Sequence, residues 1–317
     1  MKQHRLRIKL DEKIKKVESL MWFHCNSNCV FCSWGHKRQG IGGENYAVAT
    51  INEIKQDIDF AVSIGAQLFS FSGGEPTMRN DLLELISYAK SQKIKNVQIQ
   101  TNGRMLAYED YVKKLLKAGV NDFAVTILSQ QETVCDQLMA AKGSYQQLQK
   151  GLSNLHKLAK EGVRLRFNIV INKLNFQELP ELTKNLLKFK PSEIGYNFIN
   201  IDGNVLNNPK ALVPKYTDAQ PYLLEALNLS AKKIWTPVFN VPHCLMNQFT
   251  GRVVDFIQPG TLLIAKDFYF SVKKNRRKNK DKLSRCRQCK YDKICFGIWQ
   301  KDLNLYGDSE FKPVAKK

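Results

Sequence analysis

Residues 19–32 read SLMWFHCNSNCVFC, an apolar run followed at once by three closely spaced cysteines. The first half of this stretch, SLMWFH, is rich in large apolar side chains, which is typical of a buried strand. The second half places Cys25, Cys29 and Cys32 in a Cys-x3-Cys-x2-Cys spacing. Because parallel α/β folds carry their chemistry at the carboxyl ends of strands, the stretch predicts such a fold with a metal site on this loop.

The strand–loop–helix pattern of this stretch repeats along the chain. Runs rich in Phe, Ile, Val and Tyr predict strands that are buried on both faces. These strands are residues 19–24, 68–72, 97–100, 123–128, 165–171 and 194–199. Amphipathic segments at helical spacing separate them. Six strand–helix units of about 30 residues each predict a partial (β/α)6 barrel, short of the eight units of a closed barrel.

The pattern changes after residue 200, where Gly, Asn and Pro become frequent and four further cysteines follow. We therefore expect a barrel domain over residues 1–200 and a smaller domain over residues 201–317. Within the second domain, residues 273–282 read KKNRRKNKDK, with seven basic residues in ten. This run predicts an exposed loop that could act as a docking surface.

Composition and charge bound the class of protein. The 317 residues carry a formal net charge of +20, which favours anionic partners, although lysines on solvated helix faces would give the same total. The sequence has no run of about 18 apolar residues, so we expect no membrane span. The charged N-terminus lacks the apolar segment of a signal peptide. We expect a cytoplasmic protein whose eight cysteines are metal ligands or catalytic groups rather than disulfides.

The three thiols on one loop are one ligand short of a tetrahedral zinc site. They suit three irons of a [4Fe–4S] cluster whose fourth iron stays open for an exogenous ligand. The spacing leaves open a zinc site that borrows His24 or His36 as its fourth ligand.

The loops after the next two strands favour the open cluster. SGGEP (72–76) follows the second strand, and its glycines allow a ligand to approach the backbone closely. Glu75 in this loop offers a carboxylate to a cationic amine. TNG (101–103) follows the third strand and brings Asn102 to the same edge of the sheet.

With these loops, the chain resembles the radical S-adenosylmethionine (SAM) superfamily. The resemblance rests on Cys25, Cys29 and Cys32, with Phe31 at the usual aromatic position, and on Gly73-Gly74-Glu75-Pro76. It implies that the three cysteines hold a [4Fe–4S] cluster whose open iron chelates SAM, and that the Gly-Gly-Glu loop hydrogen-bonds SAM's amine. It also implies that reductive cleavage of SAM gives a 5′-deoxyadenosyl radical, which removes a hydrogen atom from a substrate.

The same resemblance implies weaker assignments at other strand ends. Thr126 and Asn168, at the ends of the fourth and fifth strands, would contact the ribose and the methionine carboxylate of SAM, and Asn102 would lie nearby. Each of the three could instead be an ordinary polar residue at a strand end. Met139 stands where many relatives carry an arginine for the SAM carboxylate, so either Lys142 substitutes or the contact is missing.

The second set of cysteines reads Cys244, then Cys286-x2-Cys289-x5-Cys295. Four thiolates close a structural zinc site as readily as a cluster site. The spacing, followed by Gly297, resembles the SPASM and twitch auxiliary domains of the same superfamily. That resemblance implies a second [4Fe–4S] cluster, fully ligated and suited to electron transfer.

One cysteine, Cys135, falls in neither set. We expect a buried, inert thiol there, and the alternative is a hydrogen donor near the rim of the barrel. We expect His243, beside the first cysteine of the second set, to be a core residue rather than a ligand.

Three functions remain open at this stage. The first is a radical SAM maturase that modifies a peptide, and the positive charge of the chain would suit an acidic precursor. Such an enzyme would need an electron donor such as flavodoxin or ferredoxin. A separate protein would supply peptide recognition. The second is the same chemistry on a small molecule or, less favoured, on RNA. The third is a non-catalytic iron–sulfur or zinc binding protein.

Overall fold

The structure is a computed structural model that describes residues 10, 12–35, 48–159, 161–254 and 260–316. The described strands are β1 Ile14–Leu20, β2 Leu68–Ser72, β3 Asn96–Thr101, β4 Asp122–Ile127, β5 Arg164–Ile171, β6 Glu193–Phe198, β7 Val238–Phe239, β8 Gly260–Ala265, β9 Tyr269–Ser271, β10 Lys280–Asp281 and β11 Ile298–Trp299. The described α-helices are α1 Ile51–Ser63, α2 Leu82–Ser91, α3 Glu109–Ala118, α4 Glu132–Met139, α5 Ser144–Leu158, α6 Leu179–Leu187, α7 Pro209–Leu212, α8 Tyr216–Ser230, α9 Val272–Lys278 and α10 Gln300–Tyr306.

Nine of the described strands form one sheet in the order β7-β6-β5-β4-β3-β2-β1-β8-β9. Neighbours from β7 to β8 are parallel, and only β9 pairs antiparallel, with β8. Helices follow β2 to β6 along the chain, as right-handed crossovers between parallel strands require. The predicted α/β fold, a partial TIM-like barrel, is confirmed.

The first strand begins and ends earlier than the sequence predicts, at Ile14–Leu20 instead of residues 19–24. The apolar pattern of the strand is interrupted by the charged residues Lys16 and Glu18. Their side chains form a salt bridge of 3.1 Å with each other. Ile14 and Val17 are buried nonetheless. The cysteine loop therefore starts five residues after the strand rather than directly behind it.

The segment after residue 200 contributes strands to both edges of the sheet. β7 pairs parallel with β6, and β8 pairs parallel with β1. The division of the chain into domains at residue 200 stays a prediction, and strands from both sides of that residue share one sheet.

The predicted loop over the basic run is wrong. Residues 272–278 form helix α9, and Ser271 caps it by accepting a hydrogen bond from the backbone amide of Lys274 at 3.3 Å. Lys and Arg have high helix propensity, and the cap satisfies a backbone amide of the first turn. Together these effects favour a helix despite the repulsion between neighbouring positive charges. Lys280 then enters β10 and is buried.

The apolar faces of the helices cover the sheet and fix which loops reach its carboxyl edge. α1 buries Ile54 and Ile58, and α2 buries Leu85 and Ile86, all fully. A reciprocal capping box between Thr50 and Glu53 begins α1. No helix among the described residues is long and apolar enough to cross a membrane.

Candidate functional site

The predicted site residues meet at a cavity of about 180 Å³ at the carboxyl edge of the sheet. Nine of them line it: Cys25, Cys29, Phe31, Cys32, Gly73, Gly74, Glu75, Asn102 and Thr126. Asn168 pairs in register with Thr126 on the neighbouring strand but does not line the cavity as the described chain forms it. The structure thus brings together side chains from the three loops that the sequence singled out.

The two glycines of the SGGEP loop are required by a close approach of the chain to itself. A Cβ atom on Gly73 would lie 2.3 Å from the Trp22 carbonyl oxygen, and one on Gly74 would lie 1.9 Å from the His24 carbonyl oxygen. The Gly74 and Glu75 amides donate to those same two carbonyls, each at 2.7 Å. The glycines therefore lock the SGGEP loop against the segment that leads into the cysteine loop.

The carboxylate of Glu75 is engaged inside the protein. Its Oε1 accepts from the hydroxyls of Thr77 and Thr101 at 2.5 and 2.7 Å, and its Oε2 accepts from the Asn102 amide at 2.8 Å. Burial raises the pKa of Glu75, and these hydrogen bonds oppose the rise. The carboxylate thereby joins the ends of β2 and β3, and its contact with an amine of the ligand stays a prediction.

The amide side chain of Asn102 faces the cysteine loop. Its Nδ2 donates to Asn26 Oδ1 at 2.7 Å and lies 3.7 Å from Cys25 Sγ. Arg104, two residues later, donates to the Asn26 carbonyl and to Ser27 Oγ, the latter at 3.1 Å. Sequence reasoning missed Arg104, although its place directly after TNG was a usable signal.

Helix α4 holds the other side of the cysteine loop. The Asn28 amide donates to the Met139 carbonyl, and the Val30 amide donates to the Leu138 carbonyl, both at 3.0 Å. Met139 is fully buried and lines the cavity, as its position in the sequence implied. Lys142 is exposed and does not line the cavity that the described residues form.

A segment beyond the sixth strand also clamps the cysteine loop. Asn204 donates from Nδ2 to the Cys29 carbonyl at 2.8 Å and from its backbone amide to the Cys32 carbonyl at 3.0 Å. Gly203 has a φ of 55°, and a Cβ there would lie 2.1 Å from the Cys32 carbonyl oxygen. No local pattern in the sequence predicts this clamp, because its partners lie about 170 residues apart along the chain.

The second set of cysteines also comes together. Cys244, Cys286, Cys289 and Cys295 line one cavity of about 30 Å³. Burial, and then the neighbouring thiols of the set, raise the pKa of Cys244 to about 12. Among the described residues, no group of three or more His, Cys, Asp or Glu side chains is arranged to hold a single metal ion. A metal in this set therefore stays a prediction.

The remaining candidates take simple positions. Cys135 is fully buried in α4, and burial raises the pKa of its thiol to about 12. His243 is buried, with its ring 5.6 Å from that of Tyr291. His24 is exposed and packs on Trp22, so it does not line the first cavity as described. His36 lies outside the described residues.

The chain is similar to known proteins in family profile, in sequence and in fold. The family profile of the Radical SAM superfamily matches residues 20–186. The chain is 34% identical over 179 residues to the Fe-coproporphyrin III synthase of Methanosarcina barkeri, covering 56% of this chain and 42% of that protein. It is 31% identical over 143 residues to a probable GTP 3′,8-cyclase of Methanococcus maripaludis, covering 45% and 46%. The chain thus spans less than half the length of these curated relatives.

Two solved structures share the fold. Streptococcus suis SuiB bound to its precursor peptide SuiA matches with a TM-score of 0.65 and 16% identity, over 95% of this chain and 75% of that chain. Native anSMEcpe with bound AdoMet and the Kp18Cys peptide matches with a TM-score of 0.52 and 14% identity, over 68% and 60%. At these identities the likeness concerns the fold alone.

Proposed function

Because the chain belongs to the radical SAM superfamily, we propose that it is a radical SAM enzyme that modifies a peptide with the help of a second [4Fe–4S] cluster. That the protein is an enzyme follows from the family and from its named relatives. The non-catalytic alternative is thereby set aside. The peptide substrate and the second cluster are the parts that we propose.

The first cavity fits the [4Fe–4S] cluster and SAM that the family implies. Cys25, Cys29 and Cys32 all line it and leave a fourth ligand position without a thiol. A reduced cluster held by these three cysteines would supply one electron to the sulfonium of SAM. Asn102 lies close enough to Cys25 Sγ to hydrogen-bond it, a contact that tunes the potential of a cluster. The chain's own residues here hold the three thiols and shape the cavity.

The observation that carries the proposal is the second set of four cysteines around one cavity. These cysteines lie outside the family-matched residues 20–186. A cluster with four protein ligands has no open iron for SAM, so it suits electron transfer. A maturase that forms a new bond after hydrogen abstraction must dispose of one electron, and a second cluster is a suitable acceptor.

The fold similarity over nearly the whole chain gives the peptide proposal further support. SuiB is bound to a precursor peptide in the structure that matches 95% of this chain. A small-molecule substrate is the second candidate, because the relatives at 31–34% identity are named for a porphyrin product and for GTP.

Metal analysis of matched variants tests the two-cluster part. After anaerobic reconstitution we expect about eight irons per chain, and about four in Cys29→Ala and in Cys286→Ala. Cys135→Ala is the control and should keep the full iron content. Zinc in place of the iron that Cys286→Ala loses would contradict the second cluster.

Mass spectrometry tests the substrate. The reduced enzyme would be incubated with SAM and with each short peptide encoded beside its gene, and in parallel with coproporphyrin III or GTP. We expect the mass of one peptide to decrease by an amount that corresponds to the loss of hydrogen atoms. Turnover of either small molecule and of none of the peptides would favour the second candidate.

A further inference from the structure

Exposed cations crowd the surface around the second set of cysteines. We call five of them the basic rim: Arg287, Lys290, Lys293, Lys312 and Lys316, all exposed. Three of these lie within the ten residues from Cys286 to Cys295. The other two lie on the C-terminal segment.

The two parts of the basic rim are held side by side. Cys289 forms an antiparallel bridge with Ala315, and the Lys290 amide donates to the Val314 carbonyl at 2.9 Å. The ammonium of Lys316 donates to the Arg287 carbonyl at 3.1 Å. Lys312 itself lines the cavity of the second cysteine set. The five cations therefore surround one small region of the surface.

Nearby carboxylates neutralise the basic rim only in part. Asp292 pairs with Lys282 at 3.0 Å, and Asp308 pairs with Arg285 at 2.9 Å, so neither pairs with the rim. Glu310 accepts from the Thr217 amide and hydroxyl at 2.8 and 2.7 Å and keeps its charge, and it lines one cavity with Lys312. In the part of the chain that the structure describes, no carboxylate forms a salt bridge with any member of the rim. The five cations leave a net positive patch, which attracts an acidic partner over a distance set by ionic strength.

The surroundings of the rim favour a protein partner over single-stranded RNA. RNA binding of this kind needs exposed aromatic rings on which bases stack. Tyr291 is partly covered, with Lys290 lying 5.0 Å from its ring. Within residues 286–316, none of the described large hydrophobic side chains is exposed.

The thiols of the second cysteine set lie close beneath this surface. Cys286 and Cys295 are only partly buried, so a carrier seated on the rim would come close to their thiols. We propose that the basic rim docks an acidic one-electron carrier protein, which delivers its electron to the cluster held by the second cysteine set. The inference rests on the proposed function for that cluster. One electron leaves the carrier's reduced iron centre for this cluster and passes on to the first cluster, where SAM is cleaved. The second cluster is then oxidised again and free to accept the electron left on the substrate, and no bond or proton is exchanged with the carrier.

Binding is the first test, and it uses an acidic [2Fe–2S] ferredoxin with the reconstituted full chain. In the rim variant, Arg287, Lys290 and Lys293 are all changed to Glu. The matched control carries the same charge change at Lys95, Lys114 and Lys117, all of which are exposed. Lys95 directly precedes β3, and the other two residues lie on α3. By calorimetry at low salt we expect at least a tenfold weaker Kd for the rim variant and about a twofold change or less for the control.

Salt gives an internal check, because the Debye length falls from about 30 Å at 0.01 M to about 8 Å at 0.15 M. The difference between the two variants should shrink over this range. Equal affinity of both variants, or failure of the unaltered protein to bind ferredoxin, would overturn the inference. Binding of poly(U) RNA to the rim in competition with ferredoxin would overturn it as well.

A comparison of reductants separates this inference from the proposed function. Dithionite is small and needs no docking surface, so both variants should cleave SAM at the unaltered rate when it is the reductant. Ferredoxin-driven cleavage should slow at least tenfold in the rim variant only. If dithionite drives no cleavage in the unaltered protein, the proposed function fails, whatever the binding result shows about the rim.

Discussion

The side chain of Asn204 donates a hydrogen bond of 2.8 Å to the carbonyl oxygen of Cys29. A residue that follows the sixth strand thus fixes the loop that follows the first. The same segment is tied to α10, since Lys301 donates to the Ile201 carbonyl at 3.0 Å and to Asp202 Oδ1 at 2.5 Å. The first cysteine loop is therefore held from three sides: by Arg104, by α4 and by the segment around Asn204.

Removing the Asn204 side chain should loosen the cysteine loop. We expect Asn204→Ala to lower the free energy of unfolding by about 1–2 kcal/mol, because a partly buried carbonyl loses its partner. We also expect the variant to lose iron faster from the first site on dilution into chelator. Asn207→Ala, at an exposed neighbour, is the control for urea unfolding and iron release. If the two variants behave alike, Asn204 does not hold the loop.

A methyl group at Gly74 should disrupt the joint between two loops. Its Cβ would lie 1.9 Å from the His24 carbonyl oxygen, and backbone cannot yield as a flexible side chain would. We expect Gly74→Ala to cost at least about 2 kcal/mol of unfolding free energy and to weaken SAM binding. Gly251→Ala is the matched control, because its Cβ meets nothing within 4 Å. A Gly74→Ala protein with unaltered stability would show that the joint is looser than described.

Asp302 should make stability depend on pH. Burial raises the pKa of this carboxyl to about 6 from 3.8, and the hydroxyl of Tyr216 bonds to it. Because the folded-state pKa is raised, the stability that the protonated group contributes is fully present below pH 3.8. It is lost as pH rises through about 6.

The variant that tests this is Asp302→Asn, which cannot ionise. Relative to the unaltered protein, its free energy of unfolding should rise by about 3 kcal/mol between pH 3.8 and pH 7, since each pKa unit is worth about 1.4 kcal/mol. Urea unfolding across this range measures the difference. Asp218→Asn, at an exposed carboxylate of α8, should show no such trend. A pH-independent difference for Asp302→Asn would contradict the raised pKa.

Cys135 should behave as an inert thiol. It is fully buried, and its pKa of about 12 leaves almost no thiolate at pH 8. In the apoprotein, we expect iodoacetamide to modify Cys25, Cys29 and Cys32, which are partly exposed, and to leave Cys135 unmodified until the chain unfolds. Peptide mapping by mass spectrometry distinguishes the sites. Rapid labelling of Cys135 in the folded protein would indicate that α4 opens.

The parts of the fold that the sequence predicted are those with a strong apolar pattern. β2 to β6 contain Phe, Ile, Val or Tyr with few charges, and they were predicted to within a few residues. β7 was missed because it has only two residues. β8 was missed although all six of its residues are buried, because its place beside β1 depends on pairing across the whole chain. The start of β1 was misplaced because the charged residues Lys16 and Glu18 interrupt the apolar pattern of the strand.

In the site, the sequence identified residues whose chemistry is rare and missed those that act by position. Cysteines at fixed spacing and a Gly-Gly-Glu loop stand out in any chain. Arg104 and Asn204 hold main-chain carbonyls, and nothing in their local sequence indicates which carbonyl a side chain will reach. The contacts of the Glu75 carboxylate with Thr101 and Asn102 were missed because these residues become its neighbours only in the folded barrel.

The proposed function requires that SAM is cleaved in the cavity around Cys25, Cys29 and Cys32. The direct measurement is chromatographic quantification of 5′-deoxyadenosine after the anaerobically reconstituted, dithionite-reduced protein is incubated with SAM, with Cys29→Ala treated in parallel. We expect release of 5′-deoxyadenosine by the unaltered protein and none by the variant. Equal release by both, or none by a protein that retains its iron, would contradict it.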